Sequence, residues 1–327
     1  MVYDYASVVE VVGSPNKLVL FDHRNSIIWR VRHGDSVPEH QLDLRSMGIV
    51  EITGIDVDHE AGRYNVADFS RGILCVLDTA FRIVTRYRVP SLRDESGVEY
   101  SLLAPFFVAS GYLYTVAGAN TEVDTFVTKP CVVRHRLGST SWDSIAGVPA
   151  KVRRDPSFYN YYPKMIPIDR RSATYALAFA VEDTIRLYRH SKLECIVPIG
   201  WQTSYKRQGV DDDARTVGDF FITAPSLRAL GYDQVNRQLI VVREDQQPLR
   251  SSNGRFNTYR TRPITIGRYA LPTQSWLPYT HVPESFAVSH PGPLVFRGSV
   301  YMDTFPAIRD FTAFSLRRIK ESANANN

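Results

Sequence analysis

The sequence predicts an all-β fold, a six-bladed β-propeller whose blades are four-stranded antiparallel sheets. Three observations predict it: a hairpin pattern that occurs six times, a regular spacing of its turns, and a repeated pair of strands that follows the hairpin. Apolar residues alternate with polar ones on both sides of each turn, which is the period of a half-buried strand rather than of a helix.

The hairpin pattern is clearest in three segments that each centre on an aspartate. They read IDVDHEAGRYNV, IPIDRRSATYALAF and LGYDQVNRQLIV. When they are aligned on Asp58, Asp169 and Asp233, apolar residues stand one and three positions before the aspartate and six and eight positions after it. This spacing predicts two strands joined by a polar turn.

Three further segments predict hairpins with other turn chemistry. VASGYLYT and VFRGSVYM match at Gly111 and Gly298, and VVEVVGSPNKLVLF has turn-forming residues from Gly13 to Lys17. The six turns centre near residues 15, 61, 111, 172, 236 and 297. Each repeat is therefore long enough for a blade of four strands with its loops.

The strands that follow the hairpin also repeat. The stretch from Asp22 to Val31 and the stretch from Asp68 to Leu77 both begin with aspartate and place an apolar pair at the same offsets. In the last blade, FTAFSLRRI is expected to be the third strand and residues 2–5 the fourth, which would close the propeller. The sequence thus predicts a single propeller domain over residues 1–320 and a polar tail over residues 321–327.

The segment ITGIDVDHEAGRYNVADFSRGILCVLD resembles a blade of the six-bladed propellers of the NHL and TolB-like type. In these proteins an apolar-Asp strand, a turn, an apolar-x-Asp strand and a G-I-x-V-x-D strand follow one another. The resemblance is clearest from Leu18 to Val89. It implies the fold but no single function, because members bind proteins, glycans or nucleic acids and some hydrolyse lactones and esters.

Composition limits the function classes. The 327 residues are 44% apolar, and 39 basic residues against 34 acidic ones give a formal charge of +5 without a block of like charge. A dedicated nucleic-acid binder concentrates its charge into a stripe, so nucleic acid is not the expected partner. Cys75, Cys131 and Cys195 are far apart in apolar stretches, which predicts buried thiols and neither a disulfide framework nor a zinc site.

No membrane span or targeting segment is expected in this chain. The N-terminal residues lack a basic region followed by an apolar one, which predicts no signal peptide here but leaves open an extracytoplasmic protein with a removed one. The longest uncharged stretch, residues 101–121, is interrupted by Pro105, Gly111 and Gly118, and therefore predicts two strands of a soluble protein. The compartment is otherwise unknown from the sequence.

Acidic residues recur after the second strand of each predicted blade. They are Asp22, Asp68, Asp124, Glu182, Asp183, Glu244, Asp245 and Asp303. One interpretation is a cation site, similar to the channel-centred calcium of propeller lactonases. The other is that each aspartate starts a turn by accepting a local backbone hydrogen bond, which needs no ion. We favour the second interpretation and predict no cofactor, with calcium at the propeller axis as the alternative.

Three long links between blades are the candidate functional surface. They run from Pro90 to Ser101, from Pro149 to Lys164 and from Gly200 to Asp219, and blade connectivity would place them on one face. Aromatic residues and arginine often anchor interfaces, although aromatic links can also fill the grooves between blades. The candidate partner-binding residues are Phe158, Tyr159, Tyr161, Tyr162, Trp201, Tyr205 and Arg207.

Catalytic motifs are missing from the sequence. It contains no GxSxG, HExxH or GxxxxGK[ST] motif, and no GxGxxG motif after a strand. We therefore predict a non-catalytic binding protein that recognises a protein or glycan partner through its loop-rich face. A metal-assisted propeller hydrolase acting on a lactone, an ester or a glycan-derived ligand is the alternative. The sequence leaves the identity of the partner and the oligomeric state open.

Overall fold

The computed structural model describes most of the chain. The described residues are 6–10, 17–22, 26–32, 40–122, 128–150, 163–180, 182–200, 226–245, 248–250, 252–255, 261–287, 294–296, 299–303 and 316–318. Strands dominate them, and the helical segments among them are two short 3₁₀ turns, Leu44–Met47 and Phe69–Arg71. None of the described helical segments has the length and apolar character that a membrane crossing requires.

Twenty-five strands of the described residues form six sheets, and the strands pair in chain order in all of them except the fifth, where the last strand departs from it. The first sheet contains β1 to β4, at Ala6–Glu10, Lys17–Asp22, Ile27–Arg32 and His40–Asp43. The second contains β5 to β8, at Gly54–Asp58, Arg63–Asp68, Ile73–Leu77 and Ile83–Arg88. The third contains β9 to β13, at Leu92–Arg93, Glu99–Ala109, Tyr112–Ala119, Pro130–Arg136 and Trp142–Gly147.

The remaining sheets follow the same order. The fourth contains β14 to β17, at Lys164–Asp169, Thr174–Ala178, Thr184–Arg189 and Lys192–Pro198. The fifth contains β18 to β22, at Ser226–Asp233, Gln238–Glu244, Thr261–Ala270, Ser275–Trp276 and Thr280–Ala287, with β21 and β22 both paired to β20. The sixth contains β23 to β25, at Leu294–Phe296, Ser299–Asp303 and Leu316–Arg318.

This architecture confirms the predicted fold class, an all-β propeller with six sheets as its blades. All six predicted hairpins are present, from β1–β2 to β23–β24, and the third strand of the last blade lies within the predicted segment. The strand number departs from four in three sheets: the third and fifth have five strands, and the sixth has three among its described residues. Residues 2–5 and 321–327, which carry the predicted closing strand and tail, lie outside the described residues.

The chain divides into two compact units. One consists of Met1–Arg153, Tyr161–Leu177 and Leu187–Cys195, and the other of Arg154–Asn160, Ala178–Arg186 and Ile196–Asn327. In the first unit, a core cluster joins Val19 and Ile28 of the first sheet to Val66 of the second. In the second unit, Ile240 and Ile264 of the fifth sheet pack in one cluster with Val300 of the sixth.

The aspartates that align the three hairpins start their turns. Asp58 accepts a hydrogen bond from the backbone nitrogen of Ala61 at 2.9 Å. Asp169 accepts one from the backbone nitrogen of Arg171 at 2.9 Å, and Asp233 accepts one from that of Val235 at 3.0 Å. The short side chain of aspartate reaches these donors two or three residues on, which explains why it recurs at this position.

A buried ion pair connects three hairpins of the first unit. Arg170 donates to both carboxylate oxygens of Asp56, from Nη2 to Oδ1 at 2.5 Å and from Nη1 to Oδ2 at 2.9 Å. It also donates to the carbonyl oxygens of Val57 and Val108, each at 2.8 Å. Asp56 accepts a further bond from the side chain of Asn65 at 2.9 Å. The hydrogen bonds of this pair thus connect the second, third and fourth sheets.

The burial that the sequence predicts for the three cysteines needs one correction. Cys75 and Cys131 are buried as expected, but Cys195 is exposed on β17. The apolar residues around Cys195 suggested burial, yet β17 pairs on one side only and exposes Leu193 and Ile196 as well. A polar insertion lies between β19 and β20 of the fifth sheet. Its described part turns at Gly254, whose carbonyl accepts a bond from Arg250 at 2.9 Å.

Candidate ligand-binding cleft

The seven partner-binding residues predicted from the sequence lie outside the described residues. They are Phe158, Tyr159, Tyr161, Tyr162, Trp201, Tyr205 and Arg207. Of the three long links, the one from Pro90 to Ser101 is described throughout. It lies in the first unit and lines a large cleft. This cleft is the candidate ligand-binding site.

The cleft has a volume of about 1340 Å³ and is lined by the second and third sheets and the link between them. Its lining is chemically mixed, with arginines, aromatic rings, hydroxyls and an amide. The cationic and aromatic members are Arg71, Arg86, Arg88, Phe69, Tyr87 and Tyr100. Ligand pockets usually have volumes of about 300–1000 Å³, so this cleft could hold an extended ligand.

Asp68 shapes one wall of the cleft. Its side chain is fully buried and accepts four hydrogen bonds. Oδ2 accepts from the backbone nitrogens of Val50 and Glu51 at 3.0 and 3.3 Å, and Oδ1 accepts from the hydroxyl of Ser70 and the backbone nitrogen of Arg71 at 2.7 and 3.2 Å. The carboxylate thus fixes the 3₁₀ turn that carries Arg71 to the segment before β5 that carries Glu51.

Gly72 ends this turn and lies beside the end of β8, so that Arg71 of the turn and Arg88 of β8 are at the same end of the second sheet. Its φ of 65° is in the left-handed region, and a Cβ there would lie 2.5 Å from the carbonyl oxygen of Val89, so only glycine fits. The backbone nitrogen of Val89 donates to the carbonyl of Gly72 at 2.8 Å. Arg71 and Arg88, which precede the two bonded residues, are both exposed and both line the cleft.

The link from Pro90 to Ser101 is a tight hairpin rather than an irregular loop. β9 pairs with the start of β10 through Leu92 and Tyr100. Asp94 closes the turn, accepting bonds from the backbone nitrogen of Val98 at 3.0 Å and from Nζ of Lys129 at 2.7 Å. The bond from Lys129 and the other donors hold the pKa of Asp94 well below its usual value. The link is thereby a fixed wall of the cleft.

Tyr100 connects this hairpin to the cleft. Its hydroxyl donates to Asp94 at 3.2 Å, and burial together with the nearby carboxylate raises its pKa to about 12. The ring packs against Trp142 with centroids 5.5 Å apart. Tyr100 therefore stays a neutral phenol over the physiological pH range, and its role in the cleft is to supply a ring surface.

Positively charged side chains outnumber negatively charged ones in the lining of the cleft. Arg86 donates to the carbonyl oxygen of Gly48 at 3.3 Å, and Glu99 forms an ion pair with Arg93. Arg71 and Arg88 form no ion pair or side-chain hydrogen bond with another described residue. Glu51 is the carboxylate among the lining residues that has no cationic partner in the described part of the chain. The cleft thus has an excess of positive charge.

The acidic residues after the second strands have local partners where their side chains are described. Asp68 caps the 3₁₀ turn, Glu182 pairs with Arg186, and Glu244 pairs with Arg228 at 2.8 Å. Asp245 accepts bonds from Arg243 at 2.8 Å and from Thr265 at 2.6 Å. Within the described ranges, no three His, Cys, Asp or Glu residues form a group that could hold a metal ion. The side chains of Asp22, Asp124 and Asp303 are outside the described set.

Most residues that carry the cleft have no distinctive pattern in the sequence. The length of the link from Pro90 to Ser101 marks that link as a candidate, but nothing comparable marks Arg71, Tyr87 or Arg88. One signal was available, because the alternation of Arg86, Tyr87 and Arg88 directly precedes a predicted long link. The contribution of Arg71 could not be found in this way, since it depends on the bond between Gly72 and Val89.

Comparison with known proteins supports the fold and leaves the site unassigned. No protein-family model matches the sequence, and no curated protein matches it. The chain is similar to the crystal structure of a member of the DUF4221 family from Bacteroides vulgatus, with a TM-score of 0.63 and 10% identity over 97% of this chain and 94% of that one. It is also similar to a streptogramin B lyase structure, with a TM-score of 0.40 and 12% identity over 88% and 86% of the two chains. At such identities the first likeness shows the fold alone.

Proposed function

We propose that this chain is a non-catalytic binding protein of the NHL and TolB-like propeller type, which recognises a protein or glycan partner through its loop-rich face. The observation that supports the proposal is the cleft of about 1340 Å³ beside the link from Pro90 to Ser101. The hydrogen bonds of Asp94 and Asp68 fix its walls before any ligand binds. A preformed site loses less conformational entropy on binding, which favours affinity.

The aromatic residues of the other two long links are proposed as further partner contacts. Tyr161, Tyr162, Trp201 and Arg207 belong to residue types that contribute most to binding at interfaces. If they instead pack between blades, each truncation of an aromatic side chain should cost on the order of 3 kcal/mol of folding stability.

Partner capture with matched variants tests the proposal. The immobilised protein is exposed to a glycan array and to a protein library, and the ligand it retains is measured with two variants. One carries Tyr87→Ala and Asn120→Ala in the cleft, and the other carries alanine at Tyr161, Tyr162, Trp201 and Arg207. We expect at least one variant to weaken capture tenfold or more at a temperature well below its own melting temperature, where circular dichroism shows it to be folded. Undiminished capture by both variants would contradict the proposal.

A further inference from the structure

We propose that the ligand of the cleft is an acidic oligosaccharide, whose carboxylates pair with Arg71 and Arg88. This inference rests on the proposed binding function and specifies its ligand class. It starts from the two guanidinium groups, which line the cleft, are exposed, and have no carboxylate partner among the described residues. Arginine presents a planar fork of donors that matches a carboxylate with two parallel hydrogen bonds.

The positions of the two arginines are set by the backbone. Asp68 holds the nitrogen of Arg71, and the bond between Gly72 and Val89 places Arg88 on the neighbouring strand. The register pairs Ile73 with Arg88 and therefore brings both guanidinium-bearing residues to the same end of the second sheet. Two such groups on fixed backbone positions can bind two negative charges along one extended ligand.

The nearby acidic residues do not cancel this charge. Glu99 already pairs with Arg93, so Glu51 is the one lining carboxylate that lacks a cationic partner in the described ranges. Arg86 adds a third guanidinium, which rests against Gly48. A neutral ligand would leave Arg71 and Arg88 unpaired in the bound state, whereas an anionic ligand would use them.

The remaining lining residues favour a sugar over an acidic peptide. The hydroxyls of Ser91 and Thr140 are exposed and form no hydrogen bond with other described residues. Asn120 uses its carbonyl oxygen to accept a bond from Ser101 at 2.9 Å and keeps its amide donors for a ligand. Groups that both donate and accept suit sugar hydroxyls, and the half-buried ring of Tyr87 offers a surface on which a pyranose can stack.

Calorimetry with defined tetrasaccharides tests this inference. The probes are tetramers of galacturonic, glucuronic and mannuronic acid, each compared with the neutral tetramer of the same parent sugar. The test variant is Arg71→Gln with Arg88→Gln. The control is Arg63→Gln with Arg237→Gln, which removes the same charge from exposed positions outside the cleft. Tyr87→Ala tests whether the ligand binds in the cleft, because it removes a lining ring without changing the charge.

We expect at least one acidic tetramer to bind more tightly than its neutral counterpart, with at least tenfold weaker binding to the test variant and less than twofold change in the control. If neutral and acidic tetramers bind alike, and only Tyr87→Ala weakens them, the acidic specificity is wrong while the binding function stands. If no tetramer binds but a captured peptide or protein depends on the cleft, the ligand class is wrong. If no ligand of any kind depends on the cleft or the long links, the proposed function fails as well.

Discussion

At the scale of single residues, Arg170 and Asp56 form the clearest structural contact of the first unit. Their side chains are 14% and 5% exposed, and both ends of the pair make additional hydrogen bonds. A buried pair of this kind often contributes little relative to a hydrophobic replacement of both partners. Removing one partner is costly, because it leaves the other charge buried and unpaired.

Replacing Arg170 by alanine should therefore lower the free energy of unfolding by about 3 kcal/mol or more. The neighbouring Arg171→Ala is the matched control, since Arg171 is 87% exposed and its ionic partner among the described residues is the exposed Glu60. An exposed pair contributes at most about 1 kcal/mol, so this variant should stay close to the original. Urea denaturation of both variants gives the comparison, and equal costs would show that the buried network does not stabilise the fold.

His135 is a second residue that affects folding stability, because its buried ring makes that stability depend on pH. It lies on β12 with no exposed surface, and neither ring nitrogen makes a hydrogen bond. Burial lowers its pKa below 6.5 because the charged ring cannot be solvated. The neutral ring thus contributes its full stability above pH 6.5, and this contribution is lost as the pH falls from 6.5 through the folded-state pKa.

A His135→Leu variant should show a smaller drop in melting temperature between pH 7 and pH 5 than the original protein. Its stability at pH 7 should be similar or higher, because the substitution removes two buried polar atoms that lack partners. His190→Asn is the control, since His190 is exposed in a turn with a φ of 52° that asparagine tolerates. A His135→Leu variant that keeps the full pH dependence would contradict this assignment.

At the scale of elements, the two 3₁₀ turns provide a comparison between two aspartate caps. Asp43 is exposed and accepts a bond from the backbone nitrogen of Arg45 at 2.8 Å, whereas the buried Asp68 accepts four bonds. If Asp68 only started a turn, as the sequence interpretation has it, asparagine would replace it at little cost. The structure changes that expectation for Asp68, because the amide nitrogen of asparagine would face a donor where the carboxylate now accepts.

Asp68→Asn should therefore cost about 2 kcal/mol of stability, the range expected when a buried donor loses its acceptor. Asp43→Asn should cost less than about 0.5 kcal/mol, since one exposed cap bond is retained. Thermal denaturation of both variants measures the difference. Similar small losses in the two proteins would mean that the carboxylate of Asp68 does no more than start a turn.

The elements that the sequence predicts are those with strong local patterns. The hairpins at Asp58, Asp169 and Asp233 combine alternating apolar residues with turn chemistry, and all three are confirmed. β9 was not predicted, because a strand of two residues has no periodicity to detect. The pairing of Arg170 with Asp56 was also missed, since the two residues are far apart in sequence and the hairpin pattern that contains them does not show which hairpins meet.

The cleft was predictable only in part for the same reason. The length of the link from Pro90 to Ser101 marked it as a candidate surface, and the structure places that link in the cleft wall. The opposite wall depends on tertiary hydrogen bonds, such as those that Asp68 accepts from the backbone nitrogens of Val50 and Glu51. Such bonds leave no pattern in a single sequence.

At the scale of the whole molecule, the repeated sheets explain how a cleft with fixed walls can form from short strands. A hydrophobic cluster of the first unit contains Leu74 of the second sheet and Phe106 and Leu113 of the third. This packing holds the two sheets together beneath the cleft. Variation of the links can then alter recognition without altering the packed strands.

Hydrogen–deuterium exchange with and without the tightest-binding uronic-acid tetramer tests most directly whether the cleft is the ligand site. We predict slower exchange in peptides that cover residues 69–72, 86–91 and 99–102, because a bound ligand would shield these backbone segments and reduce their opening. Peptides from β18 and β19 in the second unit should exchange at an unchanged rate. Slower exchange confined to residues 151–162 and 201–225, or no change in any peptide at saturating tetramer, would contradict the assignment of the ligand to the cleft.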